Sequence, residues 1–382
     1  HPRSQHRGLT PPYVPRPTLT NPLTLGYTRS FSQDAPQQTV TNSALGINMA
    51  DYNTGGGATQ INISGRFQLR SQNPRKYISN NYDLNDSVSW VKGRHTFKFG
   101  FQALQLSWFQ TFLSPPVFTF NGTRTGDPVA DFLVGAYRTL AITYGVRVND
   151  SYTRYYGAFA QDDFKVTSRL TVSLGMRYDL PLPWKDKADR INTIDPRPGV
   201  QSRVVPSAPP GLLFVGDLPR GLLAPDRNNF APRLGLAYDV FGTGKTAVRA
   251  AFGIFYDTLN ADSIAQENAP YAGSISFSNG NLSNPLIGQN APPAVTDAAH
   301  FKFYYPINNY FIDLSHRTPY YQQWNFSIDQ ELRKNLSLQV ASFGNVGLKP
   351  GASRPWHCAL PRPGAAPARS GSTAPFCPGV AG

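Results

Sequence analysis

The sequence predicts an all-β fold: an antiparallel transmembrane β-barrel that is incomplete, with about eight to ten strands of a larger barrel and long loops on one side. Three observations lead to this prediction. Long segments alternate strictly between apolar and polar residues, short turns join these segments in pairs, and long connections separate the pairs. The clearest segment is RLTVSLGMRYDLPLPW, residues 169–184. From Leu170 to Leu180 its even positions are apolar and its odd positions are small or polar.

This segment has the length of a membrane strand. A tilted strand needs about 9 to 11 residues to cross a bilayer, whereas strands of soluble proteins usually have about 5 to 6. We expect its apolar side to face lipid: Leu170, Val172, Leu174, Met176 and Tyr178. We expect the other side to face the lumen: Thr171, Ser173, Gly175 and Arg177. Tyr178 and Trp184 lie toward the end where an aromatic girdle belongs, and Pro181 and Pro183 end the strand pairing.

Composition agrees with a fold that is rich in turns. Of 382 residues, 13% are aromatic and 15% are charged, and the 33 Gly and 34 Pro argue against long helices. No apolar run is long enough for a transmembrane helix. The net charge of +13 comes from Lys and Arg residues that are dispersed along the chain, with no run of five basic residues. This dispersed pattern argues against nucleic-acid binding. Anionic lipid or an anionic ligand is the better partner for this charge.

Four hairpins follow one another, over residues 82–109, 152–180, 229–257 and 319–347. KGRH, KVTSR and RKN form short turns in three of them, and Gly242 and Gly244 mark the turn of the other. Residues 110–151, 181–228 and 258–318 connect the hairpins, with roughly 40 to 60 residues each, which is unusual in compact soluble domains. Short turns at one end and long loops at the other are typical of outer-membrane barrels.

The remaining parts of the chain are less regular. Residues 1–40 are rich in Pro, Thr and Ser and are predicted to be loop, and residues 58–70 are predicted to form a strand. Near Ala103 and Leu104 the apolar phase shifts by one, which predicts a bulge or a strand end. The alternative fold is a large soluble β-sandwich or an extracellular β-repeat, which would have shorter strands and more even connections.

Five stretches resemble TonB-dependent outer-membrane receptors, specifically the Oar-like barrels of acidobacteria. They are DSVSWVKGRHTFKFGFQ (86–102), TFNGTRTGDPVADFLVG (119–135), YYGAFAQDDFKVTSRLTVSLGMRYD (155–179), NNFAPRLGLAYDVFGTGKTAVRAAFGIFYD (228–257) and TPYYQQWNFSIDQEL (318–332). The resemblance implies a barrel of about 22 strands in the outer membrane, filled by an N-terminal plug and opened by energy transduced through TonB. It also implies the outer-membrane lipid as a partner, with the TonB complex expected for the full-length protein only.

The sequence lacks a recognisable plug, a TonB-contacting box and a final strand ending in an aromatic residue, so we expect an internal piece of a barrel or a truncated product. Its predicted organisation is a loop-rich segment at 1–57, a partial TonB-dependent receptor barrel at 58–349 and a Pro-, Ala- and Gly-rich tail at 350–382. Two interpretations of the tail stay open: the next outer loop, or sequence past a frameshift.

No motif supports catalysis, a cofactor or a metal. FGTGKTAV (241–248) lacks the first Gly of a phosphate loop, because that position is Asp239, and it is followed by a strand pattern. Asp162 and Asp163 point to opposite faces of a strand and cannot easily share a proton or a metal. Metal-ligand spacing is absent among the six histidines: His1, His6, His95, His300, His316 and His357. Cys358 and Cys377 either form a disulfide in an outer loop or are free thiols.

The sequence therefore predicts a receptor or transporter barrel in the cell outer membrane, for a solute that it does not specify, and no enzyme. The lumen-facing candidates are Arg177, Arg233 and Arg249, which would line a path for an anionic solute. The plainer explanation is that these arginines pair with neighbouring acids or with the plug. The aromatic stretch 301–314 would either capture ligand or anchor at the membrane interface. The alternative function is a structural or adhesive surface β-protein that binds glycans or other surfaces through its long loops.

Overall fold

The computed structural model describes residues 2–36, 40–52, 54–55, 58–70, 73–145, 147–257, 271–290, 303 and 312–348. Residues 350–382 and most of the aromatic stretch 301–314 lie outside the described residues. Five residues for which the sequence makes predictions also lie outside the described residues: His1, His300, His357, Cys358 and Cys377.

The described residues form an almost entirely β structure. In chain order its strands are β1 (Arg3–Leu9), β2 (Pro12–Arg16), β3 (Leu19–Asp34), β4 (Gln60–Ile63), β5 (Phe67–Leu69), β6 (Arg75–Lys92), β7 (His95–Phe112), β8 (Val117–Phe120), β9 (Ala136–Tyr144), β10 (Arg147–Lys165), β11 (Leu170–Pro181), β12 (Lys185–Asp186), β13 (Asn192–Ile194), β14 (Leu212–Phe214), β15 (Phe230–Asp239), β16 (Thr246–Tyr256), β17 (Gly273–Asn281), β18 (Tyr320–Arg333) and β19 (Leu336–Leu348). Two helices accompany them, a 3-10 helix at Ser43–Leu45 and α1 at Pro128–Leu133.

The main feature is a 12-stranded antiparallel sheet, here called the wall. Its order is β1-β3-β6-β7-β10-β11-β15-β16-β18-β19, with β2 paired to β3 and β12 paired to β10. The four predicted hairpins are all present, as β6–β7, β10–β11, β15–β16 and β18–β19. Within the described residues β1 and β19 end the sheet and do not pair with each other. The predicted incomplete antiparallel barrel is therefore confirmed.

The register gives the wall two chemically different faces. Leu174 lies opposite Leu234, Leu234 opposite Phe252, and Phe252 opposite Trp324, so these side chains form a continuous row across four strands. Leu174 and Leu234 are each more than half exposed. A continuous exposed surface of large apolar side chains is typical of a face that contacts lipid or a partner. We call it the apolar face.

On the opposite face, the positions next to this apolar row hold small and polar residues. Ser173 lies opposite Gly235, and Gly235 lies opposite Ala251, one position along from the apolar row. We call this side the polar face. The alternation predicted for residues 170–180 thus continues across neighbouring strands, because residues that pair across a sheet point to the same side.

The prediction of loop for residues 1–40 is wrong. β1, β2 and β3 occupy most of this segment, and β3 pairs with β6 from Leu19↔Trp90 to Asp34↔Arg75. The Thr and Ser residues that suggested loop lie on the polar face of β3, opposite polar residues of β6, while Leu25 and Tyr27 lie on the apolar face. Thr is well suited to a strand because of its branched Cβ atom. The division of the chain into domains at residues 57 and 349 stays a prediction.

The predicted bulge at Ala103 and Leu104 is also wrong. β7 continues to Phe112 in unbroken register with both β6 and β10. The apolar phase changes because Leu106 and Trp108, on the polar face, pack against a hydrophobic cluster formed by the long connections. The pattern shift therefore marks a place where the polar face is covered by protein instead of water.

The long connections fold into a small structure of their own. A second sheet has the order β17-β9-β8-β4-β5 and draws strands from three separate connections. Its core includes Phe118, Phe120, Leu140 and Ile142, each fully buried. Residues 58–70, predicted to be one strand, are two short strands of this sheet and not part of the wall. Among the described residues no helix is both long and apolar enough to cross a membrane.

Candidate functional site: the polar face of the wall

Arg177 is the centre of a hydrogen-bonded cluster on the polar face. Its Nε donates to Asp179 Oδ1 at 2.8 Å, and its Nη2 donates to Gln102 Oε1 at 2.9 Å and to the Tyr155 hydroxyl at 2.8 Å. The Tyr155 hydroxyl in turn donates to Asp179. The side chains of Arg177 and Asp179 are 18% and 6% exposed, so the charge of the guanidinium is largely satisfied within the protein.

A glycine makes this cluster possible. Gly157 of β10 lies between Gln102 of β7 and Asp179 of β11 in the register, so Arg177 must cross it to reach Gln102. A Cβ atom at Gly157 would lie 2.5 Å from Arg177 Nη2 and 3.0 Å from the Tyr155 hydroxyl. The bare backbone therefore leaves the space that the guanidinium occupies.

Arg233 lies on the neighbouring strand and has a different environment. It pairs with Gly175, two positions along β11 from Arg177, so the two arginines are diagonal neighbours on the polar face. Its guanidinium lies 4.7 Å from the centre of the Phe255 ring, in a cation–π contact. Its Nε is buried and has no hydrogen-bond partner among the described residues.

Arg249, the remaining candidate, lies nearer the turn end of the wall. It pairs with Ala237 across β15 and forms an ion pair with Asp329 of β18. Arg249 is 56% exposed, so this pair contributes little to stability. The structure thus places all three predicted arginines on the same face, with Arg177 and Arg249 paired to acids.

A small cavity lies where the long connections meet the polar face, and it was not predicted. Its volume is about 60 Å³, room for a few water molecules. Its lining includes Leu106, Tyr155, Trp184, Leu223, Asp226 and His316. The cavity depends on contacts between segments that are far apart in the sequence, and the only local signal was the phase shift in β7.

His316 lines this cavity and has an unusual environment. Burial lowers the pKa of the imidazole below its usual value, against the carboxylates of Asp313 and Asp226, which act in the opposite direction. Its Nε2 is buried without a hydrogen-bond partner in the described part of the chain. The neutral imidazole is therefore the form that the fold favours.

The other acidic candidates have structural roles. Asp162 and Asp163 point to opposite faces as predicted, since Asp162 pairs with His95 at 2.7 Å and Asp163 pairs with Lys98 at 2.9 Å. His95, predicted to be a turn residue, begins β7 and stacks on Phe164 with ring centres 4.3 Å apart.

The glycine-rich segment FGTGKTAV is confirmed as a hairpin turn. Gly242 and Gly244 have positive φ angles of 73° and 72°, and the Asp239 carboxylate accepts hydrogen bonds from both backbone N–H groups. No cluster of three or more His, Cys, Asp or Glu side chains that could hold a metal occurs in the described part of the chain.

The two-faced antiparallel wall, with short turns at one end and folded connections at the other, defines a membrane-spanning β-barrel protein. The chain belongs to the outer membrane beta barrel domain family, which it matches over residues 2–381. Its place is therefore the cell outer membrane. No curated protein matches the sequence.

Several solved structures are similar to this chain at 10% identity. They include the outer membrane transporter YddB from Escherichia coli (TM-score 0.46, 87% of this chain and 32% of that one), the copper transporter OprC (TM-score 0.43, 91% and 38%) and the ferric yersiniabactin uptake receptor FyuA from Yersinia pestis (TM-score 0.33, 90% and 45%). The chain thus spans about a third to a half of the length of these proteins.

Proposed function

We propose that this chain forms part of the barrel of an outer-membrane receptor or transporter that takes up or passes a solute in a TonB-dependent way. The observation that supports the proposal most directly is the polar face, which runs across the wall behind a lipid-facing apolar surface. The five stretches that resemble TonB-dependent receptors, of the Oar-like type, favour the same function. The TonB complex and the solute are partners of the full-length protein, and we propose no enzymatic activity.

We propose further that Arg233 is the residue of this face that attracts an anionic solute. Arg177 is neutralised by Asp179, and Arg249 by Asp329. Arg233 instead contacts an aromatic ring and keeps a hydrogen-bond donor without a partner in the described residues. A buried donor without a partner is costly to the fold, and an anionic group in the lumen would relieve that cost.

Cysteine labelling in the membrane tests the proposed orientation. In a chain with Cys358→Ser and Cys377→Ser, single cysteines are introduced by Ser173→Cys on the polar face and Leu174→Cys on the apolar face. We expect a water-soluble thiol reagent to modify Ser173→Cys and to leave Leu174→Cys unmodified, because only the polar face contacts water. A soluble adhesive β-protein would react at both positions, and that result would refute the proposal.

The role of Arg233 is tested with reagents of opposite charge on the Ser173→Cys protein. A unit charge at about 7 Å in water changes a local ion concentration by roughly threefold. The anionic reagent should therefore react faster than the cationic one. Arg233→Gln should remove this preference, and Arg249→Gln should change it less because Asp329 already neutralises that charge. Equal effects of the two substitutions would contradict the assignment.

A further inference from the structure

The short turns at one end of the wall form a continuous basic surface. Each of the five hairpin turns at this end of the wall has at least one exposed Lys or Arg, namely Arg16, Arg94, Arg169, Lys245 and Lys334. The turn segments 16–19, 92–95, 165–170, 239–246 and 333–336 contain one carboxylate, Asp239, and its two oxygens accept hydrogen bonds from the backbone of its own turn. We call these five segments the turn rim.

Backbone hydrogen bonds link the turns of the rim to one another. Val91 N donates to Thr18 O at 2.8 Å, and Lys165 N donates to Arg94 O at 2.9 Å. Asp239 N donates to Arg169 O at 2.8 Å. These bonds connect the first four turns, with Val91 being the strand residue next to the turn at 92–95. A bond from Glu331 N, near the end of the strand that leads into the fifth turn, to Lys245 O at 2.7 Å connects that turn as well. The positive charges are therefore held side by side along one edge and not dispersed on independent loops.

The rim continues directly into the lipid-facing surface. Trp90 lies on the apolar face and is 39% exposed, and the Lys92 ammonium lies 5.1 Å from the centre of its ring. Trp90 also contacts Phe97, with ring centres 5.7 Å apart. Indole rings favour the boundary between the hydrocarbon and the head groups, so Trp90 places Lys92 and the rim at head-group depth.

We propose that the turn rim binds anionic phospholipid head groups of the membrane leaflet that surrounds the turns. Charge complementarity favours this partner, since the rim is basic and nearly free of acids in its sequence. Each Lys or Arg near an anionic membrane surface raises the local concentration of anionic lipid on the order of fivefold. The continuity with the apolar face favours a lipid over a soluble anion. This proposal rests on the membrane orientation proposed above.

Fluorescence quenching of Trp90 by brominated lipids tests the proposal on the full chain in bilayers. Trp324→Phe removes the tryptophan on the apolar face that lies farther from the turns, and Trp356→Phe removes the tryptophan of the tail. Trp108 and Trp184 pack in the hydrophobic cluster beside the polar face, so that Trp90 reports the lipid beside the rim. Bilayers of phosphatidylcholine contain a small share of brominated phosphatidylglycerol or, in a parallel series, brominated phosphatidylcholine. We expect phosphatidylglycerol to be enriched roughly fivefold over phosphatidylcholine beside Trp90 at low salt.

In the double variant Lys92→Gln/Arg94→Gln the enrichment should fall toward unity. It should also fall with the unsubstituted rim at about 1 M NaCl, because salt then screens the attraction between the rim and the lipid charges beyond a few ångströms. Arg70→Gln/Arg203→Gln is the matched control, because it removes two exposed cations from the long connections. Equal quenching by the two lipids, or a preference that survives both the substitutions and the salt, would overturn the rim proposal alone. Absence of quenching by either lipid would overturn the membrane orientation, and the rim proposal with it.

Discussion

Substitution of Gly157 by Ala tests the idea that a bare backbone holds the Arg177 cluster together. A Cβ atom at this position would lie 2.5 Å from Arg177 Nη2, a distance that real Cβ contacts do not reach. The guanidinium must therefore move away from Gln102 and from the Tyr155 hydroxyl. The Asp179 carboxylate, which is 6% exposed, would keep a weaker ion pair with Arg177.

The size of the effect follows from the bonds that would be lost. Hydrogen bonds that involve a charged group contribute about 1.5–3 kcal/mol each, and Arg177 Nη2 makes two of them. Hydration of the displaced guanidinium and the lower flexibility of Ala in the unfolded chain offset part of this loss, the second by about 0.4–1 kcal/mol. We expect Gly157→Ala to lower the free energy of unfolding by about 2–4 kcal/mol.

Gly175→Ala is the matched control. Gly175 also lies on the polar face, but a Cβ atom there would be 3.6 Å from the nearest atoms of Gln161, an ordinary contact. Urea unfolding of the bilayer-folded protein, followed by tryptophan fluorescence, measures both variants. We expect Gly175→Ala to be neutral or slightly stabilising.

A double-mutant cycle assigns the effect to the arginine. In an Arg177→Ala background only the Tyr155 hydroxyl, 3.0 Å away, remains close to the added Cβ atom, so Gly157→Ala should cost much less than it does beside Arg177. Two results would refute the reasoning: Gly157→Ala as stable as Gly175→Ala, or the same loss of stability with and without the Arg177 side chain.

Two further predictions concern the long connections. The Asp217 carboxylate accepts hydrogen bonds from Ser202 and from three backbone N–H groups of residues 202–217. Asp217→Ala should therefore lower the local stability of this segment by roughly 2 kcal/mol and speed its cleavage by a protease about 30-fold. An unchanged cleavage rate would contradict this prediction. The lowered pKa of His316 means that the unfolded chain binds the proton more tightly, so stability should fall as the pH drops below about 6.5. Denaturant midpoints between pH 7.5 and 5 should depend less on pH in His316→Gln, and an equal dependence would exclude this residue as the cause.

The strand pattern of the wall could be predicted from the sequence because it is local. Alternation in residues 170–180 depends on neighbours along one strand, and short turns such as residues 93–94 fix which strands pair. The same reasoning placed Arg177, Arg233 and Arg249 on one face. It fails for β3, because Pro, Thr and Ser are typical of loops, whereas the Thr and Ser residues of β3 lie on the polar face of the wall, and Thr also suits a strand.

The partners of the three arginines could not be predicted. Arg177 reaches Gln102 across an intervening strand, and Arg249 reaches Asp329 on a strand that is far away in the sequence. Such contacts depend on how several strands align with one another, and the sequence of a single strand does not specify that alignment. The small sheet of the long connections could not be predicted for the same reason, since its strands and its apolar core come from three connections that are far apart in the sequence.

The strand period, the turns, the two faces and the basic residues of the turn rim follow from the sequence, because each of these is a property of residues close together in the chain. Only the folded chain shows which arginine has no acidic partner among the described residues, where the cavity beside His316 lies, and that the basic turns form one connected edge. These features arise from the pairing of distant strands. Their chemistry depends on distances of a few ångströms between side chains that the sequence separates by many residues.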